Sequence, residues 1–128
     1  AQRRKFQGYT VGILNYDDPG LYKRVARQIN VNMPDIDFAV LWGWQYSGNR
    51  YKIYMGDNHY SGKVNLGNLA RKLAKIADKK SGLKGGIGGG GGHPNIGNFY
   101  WPRNDKTDIW DLLENDYITN ANKKNLSK

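Results

Sequence analysis

The stretch GGGGGHPNIGNFYWP, Gly88 to Pro102, sets five consecutive glycines before a histidine and closes on three aromatics and a proline. Glycine has no Cβ, so a glycine run lets backbone N–H groups turn toward a ligand and lets that ligand come close. Such a concavity suits an anionic oxygen. His93 adds a ring donor or a stacking face, Asn95 and Asn98 add amides for base or ribose edges, and Tyr100 and Trp101 add aromatic faces. Base–aromatic stacking is worth roughly 1–3 kcal/mol per base where single strands bind. The plainer reading is a flexible connector before a strand, with at least one of the alternating Phe99, Tyr100 and Trp101 in the core. The loop is no Walker motif, because no Gly-Lys-Ser/Thr follows it, and it lacks the downstream acid of a dinucleotide fingerprint.

The charge distribution supports an anionic partner. The chain of 128 residues carries a net +9, and the excess lies in its middle third. Residues 50–84 hold nine basic side chains against Asp57 and Asp78, whereas residues 1–49 hold six against four and residues 85–128 balance. Lys63, Arg71, Lys72 and Lys75 belong to this basic stretch, directly before the glycine loop. A local positive field favours polyanions, nucleic acid among them; a basic helix face that only keeps the protein in solution has the same composition.

Other chemistries are poorly served. The chain has no cysteine, which excludes disulfides, thiolate zinc sites and a cysteine nucleophile, and fits a cytoplasmic location. No apolar run reaches the ~18–20 residues of a membrane span, so no membrane partner is expected. Asp17-Asp18 and the pair Asp35 and Asp37 are conceivable metal ligands, but Asp18 reads more simply as a helix cap and the other two as the start of a strand. Only two histidines occur, His59 and His93. His59 sits in the segment Asp57-Asn-His-Tyr-Ser-Gly62, which reads as a surface loop.

The elements that position these residues follow from periodicity. Tyr9 to Tyr16 is rich in β-formers. Asp18-Pro19 starts a helix, with Asp18 as N-cap and Pro19 first inside, and Tyr22, Val25, Ala26 and Ile29 give it one apolar face. Ile36 to Trp44 (IDFAVLWGW) is the most apolar run and predicts a central strand. Trp42 and Trp44 share one of its faces, in the core or against a partner. After the turn Tyr46–Asn49, Arg50 to Met55 alternates, so the two form a hairpin. A helix spans about Asn65 to Lys79, with Leu66, Leu69, Ala70, Leu73, Ile76 and Ala77 as its stripe and the basic residues on another face. Asn98 to Trp101 predicts a strand, and Asp108 to Tyr117 a last helix that includes Trp110. The order predicts a single α/β or α+β domain on one mixed sheet flanked by helices, over residues 8–119. Residues 1–7 read as a linker remnant leading from an upstream domain, and residues 120–128 as a polar tail.

The segment Lys63-Val-Asn-Leu-Gly-Asn-Leu-Ala-Arg-Lys-Leu73, followed by Gly90-Gly-Gly-His-Pro-Asn95 and Phe99, resembles the C-terminal DHH-associated domain of DHH-type phosphoesterases. That group includes RecJ-type single-strand exonucleases, oligoribonucleases that degrade nanoRNA, cyclic dinucleotide phosphodiesterases and exopolyphosphatase-like proteins. The resemblance covers about residues 8–101, and its specific part is the glycine–histidine loop with the preceding helix. It implies a substrate-binding domain that grips single-stranded DNA or RNA, or a short oligonucleotide, through Gly90, Gly91, Gly92 and His93, with Asn95 beside them. It also implies a catalytic DHH domain as partner. That domain would bind manganese through aspartates and histidines, while this chain holds no cofactor and no catalytic residue. No Asp-His-His triplet occurs here, so the chain reads as a fragment of a longer hydrolase. Two departures stand out. The family's Ser-Leu-Arg-Ser, whose arginine meets a phosphate, is replaced by Tyr54-Met55-Gly56-Asp57, and the Ala-Gly after His-Pro by Ile96-Gly97-Asn98. His59, Lys63 or Arg71 are the candidates to replace that arginine. The alternatives are a stand-alone nucleic-acid-binding module, like the alanyl-tRNA synthetase C-terminal domain, and a domain taking polyphosphate or a cyclic dinucleotide. A purely structural or dimerising domain is a third possibility, and the sequence sets no oligomeric state.

Overall fold

In the computed structural model, residues 1–45, 50–82 and 90–102 are described. Five strands, neighbours in the chain lying side by side, make one mixed sheet with a helix on each face. The predicted last helix, Trp110, the polar tail and the turn Tyr46–Asn49 lie outside the described residues.

Strand β2 (Tyr9–Asn15) sends Val11 and Ile13 into the core. The side chain of Asp18 then accepts from the Gly20 amide at 3.1 Å and caps a 3-10 turn, Pro19–Leu21, which leads into α1 (Tyr22–Asn32). The cap is where the sequence puts it, though the α-helix proper begins one turn later. Tyr22, Ala26 and Ile29 are buried, as their spacing requires. Helix α1 is the crossover that lets β3 (Phe38–Gln45) lie parallel to β2, Val11 opposite Phe38. The first half of β3 is apolar because it is covered on both sides: Phe38 and Val40 face one cluster, Ala39 and Leu41 the other.

β4 (Arg50–Gly56) returns antiparallel to β3, and β5 (Ile96–Pro102) runs antiparallel to β4, with Ile53 opposite Phe99. Between them runs α2 (Leu66–Ser81). The Asn65 side chain caps its start by accepting from the Asn68 amide at 3.0 Å, and Gly82 closes it in the left-handed conformation, φ 66°. Leu66, Leu69, Ala70, Leu73 and Ala77 pack with Phe6, Val11, Val40, Ile53, Phe99 and Trp101 into the larger core. The smaller core, under α1, gathers Tyr22, Ala26, Ile29, Leu41 and Tyr54.

The linker expected over residues 1–7 needs correction. Gln2–Phe6 is strand β1, paired antiparallel with β2 from Gln2–Ile13 to Phe6–Tyr9. Gln7 (φ 52°) and Gly8 (φ 85°) make a two-residue turn with both φ positive, the geometry that matches the twist of a hairpin. Phe6 is fully buried, and the Arg3 guanidinium forks onto Asp35 at 2.7 and 2.9 Å. The basic run that reads as linker is the charged outer side of an edge strand.

Candidate nucleic-acid interface

The candidate residues gather at one end of the sheet. The pairing Ala39–Gly56–Ile96 sets the end of β4 beside the start of β5. Two connections meet there, the 57–65 loop entering α2 and the 90–95 segment entering β5. Backbone bonds tie them together: the Asp57 amide donates to the Asn95 carbonyl at 2.9 Å, and the first α2 amide, Leu66, donates to Pro94 at 2.9 Å.

The described glycines are ordered by packing. Gly91 and Asn98 exchange two backbone hydrogen bonds of 2.9 Å, so the Gly91 amide is already committed to β5. Gly91 and Gly92 have φ values of 153° and 140°, where side chains other than glycine's are strained. A Cβ on Gly92 would stand 2.1 Å from the Ile96 carbonyl oxygen. On the helix side, a Cβ on Gly67 would come within 2.5 Å of the Gly92 carbonyl oxygen and 2.8 Å of that of His93. The loop therefore lies backbone to backbone on the first turn of α2. Among the described residues, no hydrogen-bond partner is found for the amides of Gly92 and His93, and both residues are exposed.

Arg71 braces this arrangement. Its guanidinium donates to the Asn68 side-chain oxygen at 2.9 Å and to the Gly92 carbonyl at 2.8 Å. Its charge thus stands at the loop, on the exposed side of α2 with Lys72 and Lys75. Lys63 is placed differently. Its ammonium sits 3.0 Å from Asp37, whose other oxygen accepts from the Thr10 amide, and this bond holds the lysine pKa above its usual value. Asp35 and Asp37, weighed above as metal ligands, are engaged by Arg3 and Lys63. Among the described residues no group of three or more histidines and carboxylates is placed to hold a metal ion.

The aromatics after the loop divide between the faces of β5. Trp101, expected among the stacking faces, is buried with Phe99 beneath α2, their rings edge to face at 6.3 Å. Tyr100 points to the opposite face, where the Arg50 guanidinium lies 3.6 Å from its ring centre. Trp42 packs against the larger core, and Trp44 meets Tyr51 edge-on at 5.1 Å.

The sequence analysis missed the most connected residue of this end, Asp57. Its carboxylate is buried, accepts from the His59 amide on one oxygen, and on the other from the amide and hydroxyl of Ser61. An aspartate whose side chain binds the backbone two residues on is a common turn device. Asp57 in Asp-Asn-His-Tyr-Ser was its sequence signal. Where the resemblance leads one to look for an arginine, the chain has a glycine, Gly56, folded under the Tyr54 ring, 2.9 Å from where a Cβ would stand.

A scan against protein-family models and a search of curated proteins return no match. Solved structures do match. The C-Ala domain of alanyl-tRNA synthetase from Aquifex aeolicus aligns with a TM-score of 0.64 and 16% identity, over 93% of this chain and 99% of that domain. A pGpG-specific phosphodiesterase from Vibrio cholerae aligns at 0.51 and 19% identity, over 94% of this chain but 35% of its own. An uncharacterized protein from Helicobacter pylori G27 aligns at 0.50 and 15% identity, over 90% of this chain and 27% of its own. The chain thus spans the whole of one neighbour and about a third or less of the other two, and what it shares with all three is the fold of a mixed five-stranded sheet with two helices.

Proposed function

We propose that this domain binds single-stranded or short oligonucleotide at the sheet end formed by the 57–65 loop, the glycine–histidine segment and the first turns of α2. The observation that carries this reading is that Gly92 and His93 are exposed and that no hydrogen-bond partner is found for their amides among the described residues, with Arg71 bracing the loop beside a basic helix face. Backbone amides left without a partner, next to fixed positive charge, suit a phosphate oxygen. The committed bond of Gly91 takes its amide out of the expected cradle and leaves Gly90, Gly92 and His93, with the His93 ring and the Asn95 side chain beside them. Lys72 and Lys75 supply the approach field, and Lys63 contributes less because Asp37 neutralises it.

In the finer reading, the domain holds substrate for a DHH-type catalytic domain. The resemblance of the glycine–histidine loop and the fold shared with a phosphodiesterase specific for the dinucleotide pGpG support this. Hydrolysis would come from manganese and water in that other domain, and this chain's part would be to hold and orient the strand. The greater structural likeness to a whole tRNA-synthetase domain supports a second reading, a nucleic-acid-binding module with no hydrolase attached.

Fluorescence anisotropy of labelled DNA and RNA of two to twelve nucleotides, at two salt concentrations, tests the proposal. Binding that weakens with salt is expected. Affinity that saturates at a few nucleotides supports the substrate-holding role, and affinity that grows with length supports the extended module. Absence of binding at low salt overturns both.

A further inference from the structure

Tyr60 is the only tyrosine or tryptophan among the described residues that stands mostly in solvent, 72% exposed. Its backbone is left-handed, φ 53°, a conformation that costs free energy for any residue with a Cβ and needs surrounding structure to hold it. That structure is the buried Asp57 carboxylate, which grips both neighbours of Tyr60. Oδ1 takes the His59 amide at 3.1 Å, and Oδ2 takes the Ser61 amide at 3.0 Å and its hydroxyl at 2.7 Å. The Tyr60 amide itself donates to the Asp57 carbonyl at 3.3 Å. A buried charge, three side-chain-accepted hydrogen bonds and a strained residue together hold one large ring outside the core. Backbone strain that the surrounding structure holds in place at an exposed side chain is a pointer to function.

The surroundings of Tyr60 indicate which function. The Asp57 frame is bonded directly to the glycine–histidine segment through the Asn95 carbonyl. The buried Tyr54 hydroxyl has no hydrogen-bond partner among the described residues. Burial raises the pKa of that hydroxyl, the charge of Arg27 on α1 opposes the rise, and Tyr60 adds to it. Tyr60 thus stands exposed on a loop that is hydrogen-bonded to the glycine–histidine segment, on a chain with a surplus of positive charge.

We propose that Tyr60 is a base-stacking residue of the oligonucleotide site, receiving an unpaired nucleobase beside the phosphate held at Gly92 and His93. The inference rests on the oligonucleotide-binding reading and names the residue that senses the base as distinct from the backbone. Stacking on an aromatic ring accepts any base, so it adds affinity for single strands without fixing sequence.

The test compares a labelled deoxyadenosine hexamer with a hexamer of abasic tetrahydrofuran phosphodiester, which has the same backbone charge and no bases. Tyr60→Ala is expected to weaken the deoxyadenosine hexamer about tenfold to a hundredfold, the loss of one stack. It should leave the abasic hexamer within twofold and the slope of log affinity against log salt unchanged, because no phosphate contact is lost. Tyr60→Phe keeps the ring and should bind like the native chain. Tyr60→Gly suits the left-handed backbone, so it should keep the melting temperature while losing the same affinity as alanine. Equal affinity of native and Tyr60→Ala chains for the deoxyadenosine hexamer overturns the proposal, as does an equal loss for both hexamers. If the native chain binds neither hexamer at low salt, the oligonucleotide reading itself fails, and the stacking role with it.

Discussion

At the scale of single residues, the candidate interface depends on side chains that hold loops as much as on any that meet a ligand. Asp57 accepts three hydrogen bonds as a buried carboxylate, and charge-assisted bonds of this kind contribute about 1.5–3 kcal/mol each before shared strain is counted. Asp57→Asn keeps the shape but turns one acceptor into a donor facing N–H groups. It is expected to lower the urea-unfolding free energy by about 2 kcal/mol and to weaken oligonucleotide binding by releasing the loop. Arg71→Ala removes the bond to the Gly92 carbonyl and one positive charge. The expected result is faster amide exchange over residues 91–95 and a shallower salt dependence of binding, by about one unit of slope per lost phosphate contact. A third prediction concerns Tyr22, whose buried hydroxyl donates to the Tyr16 carbonyl at 2.9 Å and whose pKa is pushed up to about 12, chiefly by burial and then by Asp17 and Asp18. The folded value lies above the unfolded one. This contribution to stability is therefore complete below about pH 10 and is lost as pH rises toward 12. Urea midpoints between pH 8 and 12 should fall less steeply in Tyr22→Phe than in the native chain.

At the scale of elements, the close approach of α2, the loop and β5 is made by glycines, and two of them give opposing expectations. In an isolated helix, Gly67→Ala would add up to about 1 kcal/mol through helix propensity. Here the new Cβ would meet two backbone carbonyl oxygens at 2.5 and 2.8 Å, which cannot rotate away as a side chain does. Overpacking of this sort costs about 1–3 kcal/mol, so the clash wins and thermal melting should show a destabilised chain. Gly92→Ala combines a worse clash with a φ that disfavours alanine, and its cost is expected at about 3 kcal/mol. Unchanged melting in both variants would mean that the loop does not lie on the helix as described. β1 teaches the complementary lesson. Its five residues carry three basic side chains and one buried anchor, Phe6, so neither alternation nor hydrophobicity marks it as a strand. Phe6→Ala should cost about 3–5 kcal/mol if β1 belongs to the core, and almost nothing if residues 1–7 were a linker.

At the scale of the whole molecule, the positive charge and the candidate loop meet on the side of the sheet that α2 covers. The periodicities of the sequence were enough to determine the described elements other than β1: the stripe of α2 and the doubly covered run of β3 carry their own burial pattern, and a mixed sheet with flanking helices follows. The sequence also determined that the middle third is basic and that a glycine–histidine loop follows it. It could not determine which residues of that loop are available. The alternation of Phe99, Tyr100 and Trp101 says that two share a face, but only the docking of α2 decides that Trp101 is the buried partner of Phe99 and that Tyr100 lies opposite under Arg50. Lys63 reads like its basic neighbours until the start of β3 brings Asp37 to it, 26 residues away in the chain. Gly91 reads like Gly92 until β5 takes its amide. In each case local pattern sets what a residue is able to do, while long-range pairing consumes some of its donors and charges and leaves others open. The candidate site is the remainder of that pairing, and its residues come together only once the strands have paired.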